Sequence, residues 1–184
     1  THVVSPLAQP AASVAAVTRT DAAPGDLDIT FGIQGQVADT TMGTIHATLV
    51  QPDGKIVVVG SKAASSAPAI ARYNTDGALD YTFGTEGWVL ADSKYGSLYS
   101  VVLQNDGKLV AVGSTRESVP WGFGPPSSFV VRLNSDGTHD TTFSGDGKLT
   151  FTVSDPDYQS SHASNVALIP NSDKILLAGT VEYT

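Results

Sequence analysis

The residues that could do chemistry in this chain are carboxylates, a few basic residues and exposed aromatics, because it contains no cysteine. Disulfides, thiolate metal sites and a thiol nucleophile are thereby excluded. Gly147-Lys148 is followed by Leu, so it is not a phosphate-binding loop, and no nucleophile-elbow, zinc-protease or dinucleotide motif occurs. The histidines lack metal-ligand spacing; they are His2, His46, His139 and His162. We therefore predict no catalytic residues and lean against an enzyme.

A set of one Arg, one Asp and one Phe recurs at constant spacing around an Asn-x-Asp-Gly turn. The residues are Arg72, Asp80 and Phe83 in one copy and Arg132, Asp140 and Phe143 in the next. An Arg and an Asp that flank a loop of constant length can form a charge-assisted hydrogen bond across it, with the Phe packed beneath. We expect a structural corner at both places.

Calcium binding is the alternative for the same corners, since they carry oxygen ligands that suit a hard cation. These ligands are Asn74, Asp76 and Asp80 in one copy and Asn134, Asp136 and Asp140 in the next. A calcium loop of the EF-hand kind needs further acids and a bidentate Glu, and an Arg stands where another oxygen would help. Calcium is therefore the weaker interpretation, and no cofactor is predicted.

A second set of carboxylates, Asp39, Asp92 and Asp155, follows three segments predicted as outer strands, with Asp157 nearby. Several such groups around one mouth could bind a cation or a basic ligand, and two close together could do acid/base chemistry. Their offsets from the preceding Phe differ, so a regular ring is not expected. Solvated loop carboxylates are the simplest interpretation.

Aromatic residues concentrate in and beside a long Gly- and Pro-rich segment, residues 115–127, which contains Trp121 and Phe123. Tyr95 and Tyr158 fall on connections that we expect nearby. Aromatics held between Gly and Pro suit stacking on a sugar ring or anchoring a protein partner. For Trp121 itself the favoured expectation is a local lid folded back over its own sheet, and ligand contact is the alternative.

The elements that position these residues are copies of one unit. ATLVQPDGKIVVVGS reappears as VVLQNDGKLVAVGS and again as VALIPNSDKILLAGT. Each copy alternates β-branched with small or polar residues and is interrupted by a turn, which predicts antiparallel strands. The predicted strands are Ile45–Gln51, Lys55–Ser61, Ala69–Asn74 and Trp88–Asp92 in one unit, and Tyr99–Gln104, Lys108–Ser114, Ser128–Asn134 and Lys148–Val153 in the next.

Stacked four-stranded units of roughly fifty residues are typical of β-propeller blades. The pattern LQPDGK followed by ARYNTDGALDYTFG resembles the bacterial delta-sixty repeat, a family of secreted β-propeller units, from about Leu27 to Thr180. The last copy departs from it, with Ser172-Asp173 in place of Asp-Gly. The resemblance implies an all-β propeller fold and export, and it implies no activity.

The units occur in circularly permuted order. After a tail at residues 1–12, residues 13–40 match the third and outer strands of a blade, near Val14–Arg19 and Gln36–Thr40. Residues 41–93 and 94–154 are two blades, and residues 155–184 hold the first two strands of a third. Three blade equivalents are fewer than the four to eight of a closed ring. We expect either the remaining fragment of a larger propeller or a second copy that exchanges ends to close it.

Charge and composition narrow the function classes. The 184 residues carry a formal charge of −8, which argues against nucleic acid and anionic membranes, and no apolar stretch approaches a bilayer span. The start at Thr, without an initiator Met, leads us to expect a secreted or periplasmic protein. Insertions fall in two loop types that share one propeller face, which predicts a binding or structural scaffold that contacts a protein or a carbohydrate there. A glycan hydrolase or lyase using loop carboxylates and an assembly subunit joined through open blade edges are the alternatives.

Overall fold

The computed structural model describes residues 13–14, 26–92, 94–152 and 158–183, and those residues form antiparallel sheets without a helix. Within the same ranges no helix is long and apolar enough to cross a membrane. The first sheet, here named the N-terminal pair, joins two short strands. They are β1 (Ser13–Val14) and β2 (Ala38–Asp39).

Two four-stranded sheets follow, each with its strands in sequence order. Blade 1 contains β3 (Met42–Val50), β4 (Ile56–Lys62), β5 (Pro68–Tyr73) and β6 (Trp88–Leu90). Blade 2 contains β7 (Tyr95–Leu103), β8 (Leu109–Arg116), β11 (Ser127–Leu133) and β12 (Lys148–Phe151), with a separate hairpin of β9 (Ser118–Val119) and β10 (Gly122–Phe123). The C-terminal pair joins β13 (Tyr158–Leu168) and β14 (Ile175–Tyr183). The predicted order of two, four, four and two strands is thereby confirmed.

The core lies between the sheets, because each blade buries both of its faces. Val57 and Val59 of β4 point towards blade 2, whereas their neighbours Ile56 and Val58 point towards the N-terminal pair. Blade 2 repeats this arrangement, with Val110 and the other outward-facing residues of β8 packed against the C-terminal pair. Strands that are buried on both faces read as continuous apolar runs, which explains the IVVVG and LVAVG segments.

The inner strands of blade 1, blade 2 and the C-terminal pair each contain a β-bulge. The register shifts between Ile45 and Ala47, between Leu98 and Ser100, and between Ala163 and Asn165. Opposite each bulge stands a glycine whose added Cβ would lie within 2 Å of a backbone oxygen of the inner strand. These glycines are Gly60, Gly113 and Gly179. The repeated Gly-Ser or Gly-Thr after each apolar run therefore reflects close backbone contact.

The strand limits differ from the prediction mainly at the ends. The inner strands begin earlier, at Met42 and Tyr95, because the chain already pairs with the second strand there. Outer strand β6 ends at Leu90, so Asp92 lies beyond it. The predicted segment Val14–Arg19 is described only at Val14, since residues 15–25 lie outside the described residues.

Candidate functional site

The corner between the third and outer strands of blade 1 closes around the buried carboxylate of Asp80. Arg72 Nε donates to Asp80 Oδ2 at 2.7 Å, and Lys55 Nζ donates to the same oxygen at 2.9 Å. Asp80 Oδ1 accepts from the backbone N–H and the hydroxyl of Thr82 at 3.1 and 2.6 Å. The Arg72 guanidinium lies 4.4 Å from the ring centroid of Phe83. The structure thus brings together the three residues expected to form this corner.

Hydrogen bonds also decide the charge state of this corner. Burial alone would raise the pKa of the Asp80 carboxyl, but hydrogen bonds from Thr82, Lys55 and Arg72 outweigh burial and hold that pKa well below its usual range. Asp76 Oδ1 accepts from the backbone N–H of Ala78 at 2.9 Å. The negative charge of Asp80, one of the candidate calcium ligands, is therefore already balanced by Arg72 and Lys55.

Blade 2 repeats the corner with fewer partners. Arg132 Nε donates to Asp140 Oδ2 at 2.7 Å, and Thr142 donates twice to Oδ1, which lowers the pKa of Asp140. The Arg132 guanidinium lies 4.9 Å from the ring centroid of Phe143. Lys108, the counterpart of Lys55, bonds instead to Asp106. Asp136 accepts from Thr138, whose hydroxyl also accepts from Asn134.

Successive corners are joined to one another by backbone hydrogen bonds. Gly32 N–H, in the corner before blade 1, donates to the carbonyl of Asp76 at 2.8 Å. Gly84 N–H of blade 1 donates in the same way to the carbonyl of Asp136 in blade 2 at 2.8 Å. Arg72 Nη1 adds a bond to the carbonyl of Ser135 at 2.6 Å. The corners that carry the candidate calcium ligands therefore connect neighbouring sheets through hydrogen bonds.

His139 occupies the place that Leu79 takes in the blade 1 corner, as the sequence comparison of the two copies shows. Burial lowers the pKa of His139, helped by nearby Lys148, while a hydrogen bond with the backbone of Ala91 opposes the shift. Its Nε2 is buried without a hydrogen-bond partner. It lines a cleft of about 500 Å³ beside Gly84 and Trp88. His139 therefore takes the structural place of an apolar residue in this corner.

The second carboxylate set is not gathered into one site by the described residues. Asp39 accepts from the Tyr73 hydroxyl at 2.5 Å and from the backbone N–H of Thr41. Burial acts to raise the pKa of Asp39, but these hydrogen bonds lower it overall. Asp92 accepts from the backbone N–H of Lys94. Asp155 and Asp157 lie outside the described residues, and within those ranges no group of three His, Asp or Glu residues is placed to hold a metal.

One aromatic residue of the long insertion, Phe123, meets the start of blade 2. Residues 115–127 are not a plain loop, because Thr115 still belongs to β8 and the insertion folds into the β9–β10 hairpin. Phe123 of this hairpin packs edge-on against Tyr95, with the ring centroids 4.4 Å apart. Tyr95 is the first residue of an inner strand and not part of a connection, which corrects the expectation.

Trp121 lies at the turn of this hairpin and is 88% exposed, so the expectation of a lid folded onto its own sheet is wrong. A salt bridge between Lys94 and Glu117 ties the outer-to-inner connection to the base of the hairpin. We use the name aromatic platform for the Tyr95–Phe123 pair together with Trp121, which lies two residues before Phe123 at the turn of the same hairpin. Tyr158 is the first residue of β13, so it too begins a strand, but its side chain is not described.

Contacts place the variable loops on one side of the stacked sheets. Gly96 N–H donates to the carbonyl of Ser66 in the β4–β5 loop at 2.8 Å. Ser161 N–H donates to the carbonyl of Pro126 at the end of the hairpin segment at 3.1 Å. The second-to-third loops and the starts of the inner strands therefore meet at a shared face.

Sequence reasoning missed Lys55, Lys94 and Glu117. Lys55 had a signal, since a Lys recurs after the turn in each copy as Lys108 and Lys174. Lys94 and Glu117 had none, because their pairing depends on two loops of different units meeting in space.

The comparisons with known proteins agree with this geometry. Residues 51–83 and 104–143 match the model of a family described as a domain of unknown function (DUF5122) beta-propeller. Each match runs from the turn after an inner strand to the corner Phe, Phe83 or Phe143. The fold is that of a β-propeller. No match was found among the curated proteins.

The propeller assignment gives the described sheets their places. Blades 1 and 2 are complete four-stranded sheets, whereas the N-terminal pair and the C-terminal pair each show two strands among the described residues. The chain is thus an incomplete propeller in permuted order, with its corner hydrogen bonds between adjacent blades.

Proposed function

We propose that this propeller is a secreted bacterial scaffold of the delta-sixty repeat kind that binds carbohydrate through its aromatic platform. The observation that carries the proposal is the exposure of Trp121 at the turn of a hairpin that is held in place at its base. Trp121 shares its hairpin with Phe123, which is 53% exposed and packs on the exposed Tyr95, and apolar residues clustered at a surface favour a site that becomes covered on binding.

The chemistry around the platform favours a sugar over a flat protein surface. Aromatic rings stack on the apolar face of a pyranose, and neighbouring polar groups hydrogen-bond its hydroxyls. The charged side chains of Lys94, Arg116 and Glu117 border Tyr95 and Phe123 and supply such donors and acceptors. The Tyr95–Phe123 contact fixes the platform before a ligand arrives, which reduces the entropic cost of binding.

A glycan array followed by titration calorimetry on the retained glycans tests the proposal. We expect Trp121→Ala to weaken binding at least tenfold, about 1.4 kcal/mol, because the stacked ring is lost. Tyr81→Ala is the matched control, since Tyr81 is 73% exposed but lies in the corner of blade 1. Retention of no glycan, or equal affinity of the Trp121 variant, would contradict carbohydrate binding. Capture of a protein through Trp121 would keep the platform and reject the ligand class.

Export is a separate part of the proposal and has its own test. It is supported by the resemblance of the repeats to a secreted family. Immunodetection of the native protein in culture medium, periplasm and cytosol checks it. A purely cytosolic signal would overturn this part and leave the aromatic platform untouched.

A further inference from the structure

The two half-blades of this chain are complementary. The N-terminal pair has third and outer strands without first and second ones, and the C-terminal pair has the reverse, among the described residues. Asp28 accepts from Thr30 N–H and hydroxyl at 2.9 and 2.6 Å, as Asp80 does from Thr82, so the N-terminal pair carries a true blade corner.

The surface that would receive third and outer strands is open on the C-terminal pair. In blades 1 and 2 the second strand is buried along most of its length, whereas β14 alternates between half-buried and exposed residues. Leu176 corresponds in register to Val57 and Val110, which are fully buried. Leu176 itself is 60% exposed. Its face is the one that a following blade covers in blades 1 and 2.

The blade 2 corner is exposed on the side where the two preceding corners each bond to the corner that follows them. Gly32 and Gly84 each donate a backbone hydrogen bond to the following corner, and both have positive φ, at 60° and 56°. Ser144 has the equivalent position and the same conformation, with φ 55°, and is exposed. Phe143 is only half-buried, whereas Phe31 and Phe83 are fully buried. These residues have the geometry of a seam whose next corner is missing.

The opposite end of the chain has the complementary opening. The inner strand of blade 1, β3, is exposed where the inner strand of blade 2 is covered by its predecessor. Thr48 is exposed although its counterpart Val101 is buried, and Val50 is 63% exposed. First and second strands beside the N-terminal pair would cover that face.

We propose that two copies of this 184-residue chain close one ring, with the N-terminal pair of each completing the blade begun by β13 and β14 of the other. The N-terminal pair would add to the free edge of β14, its corner would accept from Ser144, and the face of Leu176 would pack on blade 1 of the partner. Both openings lie on one chain and fit each other, so the interface is self-complementary, as a twofold axis requires.

The native mass of the 19.0 kDa chain by light scattering tests this first. We expect twice that mass. Leu176→Glu should return the molecule to a single chain, because it places a charge in the new seam. Ile29→Glu is the control and should stay double, because Ile29 is 76% exposed and its counterpart Tyr81 stays exposed in a complete blade.

Hydrogen exchange on the unmodified protein removes any dependence on how the variants fold. Slow exchange of the β14 amides in residues 175–182 that face away from β13 supports a strand added to β14, since those facing β13 are already paired. A single-chain mass, a companion chain of different mass, or a double mass with rapid exchange at β14 would each overturn the swapped ring. None of these outcomes bears on sugar binding by Trp121, so the two proposals fail independently.

Discussion

At the residue scale, the stability of each blade corner depends on a few buried polar groups with complete hydrogen bonding. Asp80 uses both carboxylate oxygens, and its partners are Arg72 of β5 and Lys55, which directly precedes β4. A buried carboxylate with paired cations is strongly destabilised when one partner is removed, because the remaining charges stay in a poorly solvated place.

We expect Asp80→Asn to lower the free energy of unfolding by about 3 kcal/mol, measured by urea denaturation. Asp140→Asn should cost less, because Arg132 is more exposed than Arg72 and Lys108 does not join that corner. An equal loss in both variants would show that the Lys55 bond and the burial of Arg72 contribute nothing.

The pH dependence of stability, compared between the unmodified protein and the Asp80→Asn variant, gives a second test. Since the folded pKa of Asp80 is lowered, its contribution is present above about pH 4 and is lost as pH falls below that value. The Asp80→Asn variant should therefore show a flatter loss of stability between about pH 4 and pH 2. Parallel profiles would assign the acid sensitivity to other carboxylates.

At the element scale, the repeated strand pair depends on glycine as much as on the apolar residues. A Cβ at Gly113 would lie 1.9 Å from the carbonyl oxygen of Ser97, in the middle of the β7–β8 pairing. The inner-strand bulge at Tyr99 requires this close approach, and the same arrangement recurs in each sheet with an inner strand.

Gly113→Ala should lower the midpoint of thermal unfolding and cost about 3 kcal/mol, because backbone atoms must move to admit the methyl group. Gly124→Ala is the matched control, since its nearest neighbour, the Glu117 carbonyl oxygen, lies 3.7 Å away. Differential scanning calorimetry of both variants checks this. Unchanged unfolding of Gly113→Ala would mean that the bulge shifts freely.

At the scale of the whole molecule, the open seams decide how the propeller behaves in solution. An exposed strand edge and an uncovered apolar face favour pairing with another chain. Leu176 lies on the uncovered face of β14, and Val50 lies on the uncovered face of β3. Ser144 lies at the end of the blade 2 corner, where a following corner would join.

A ring shared by two chains makes stability depend on protein concentration. We expect the thermal midpoint to rise as total protein increases over about two orders of magnitude, and this dependence to disappear in Leu176→Glu. Scanning calorimetry across that dilution series measures it. A midpoint independent of concentration in the unmodified protein would argue for folding of the single chain alone.

Much of the architecture followed from the amino-acid sequence by itself. Alternation, Asp-Gly turns and a corner of constant length are local signals, so they predicted the strands, their order and the Arg72–Asp80 and Arg132–Asp140 partners. The permuted ends were also readable, because residues 13–40 repeat the text of a complete corner.

Only the tertiary structure decided which surfaces are covered. The exposure of Trp121, the contact between Tyr95 and Phe123 and the pairing of Lys94 with Glu117 depend on an insertion that has no counterpart in the other copies. Leu176 and Val50 are apolar, as are their counterparts Val57, which is buried, and Leu103, which is half-buried. Their exposure is set by the presence or absence of a neighbouring sheet, which no local pattern encodes.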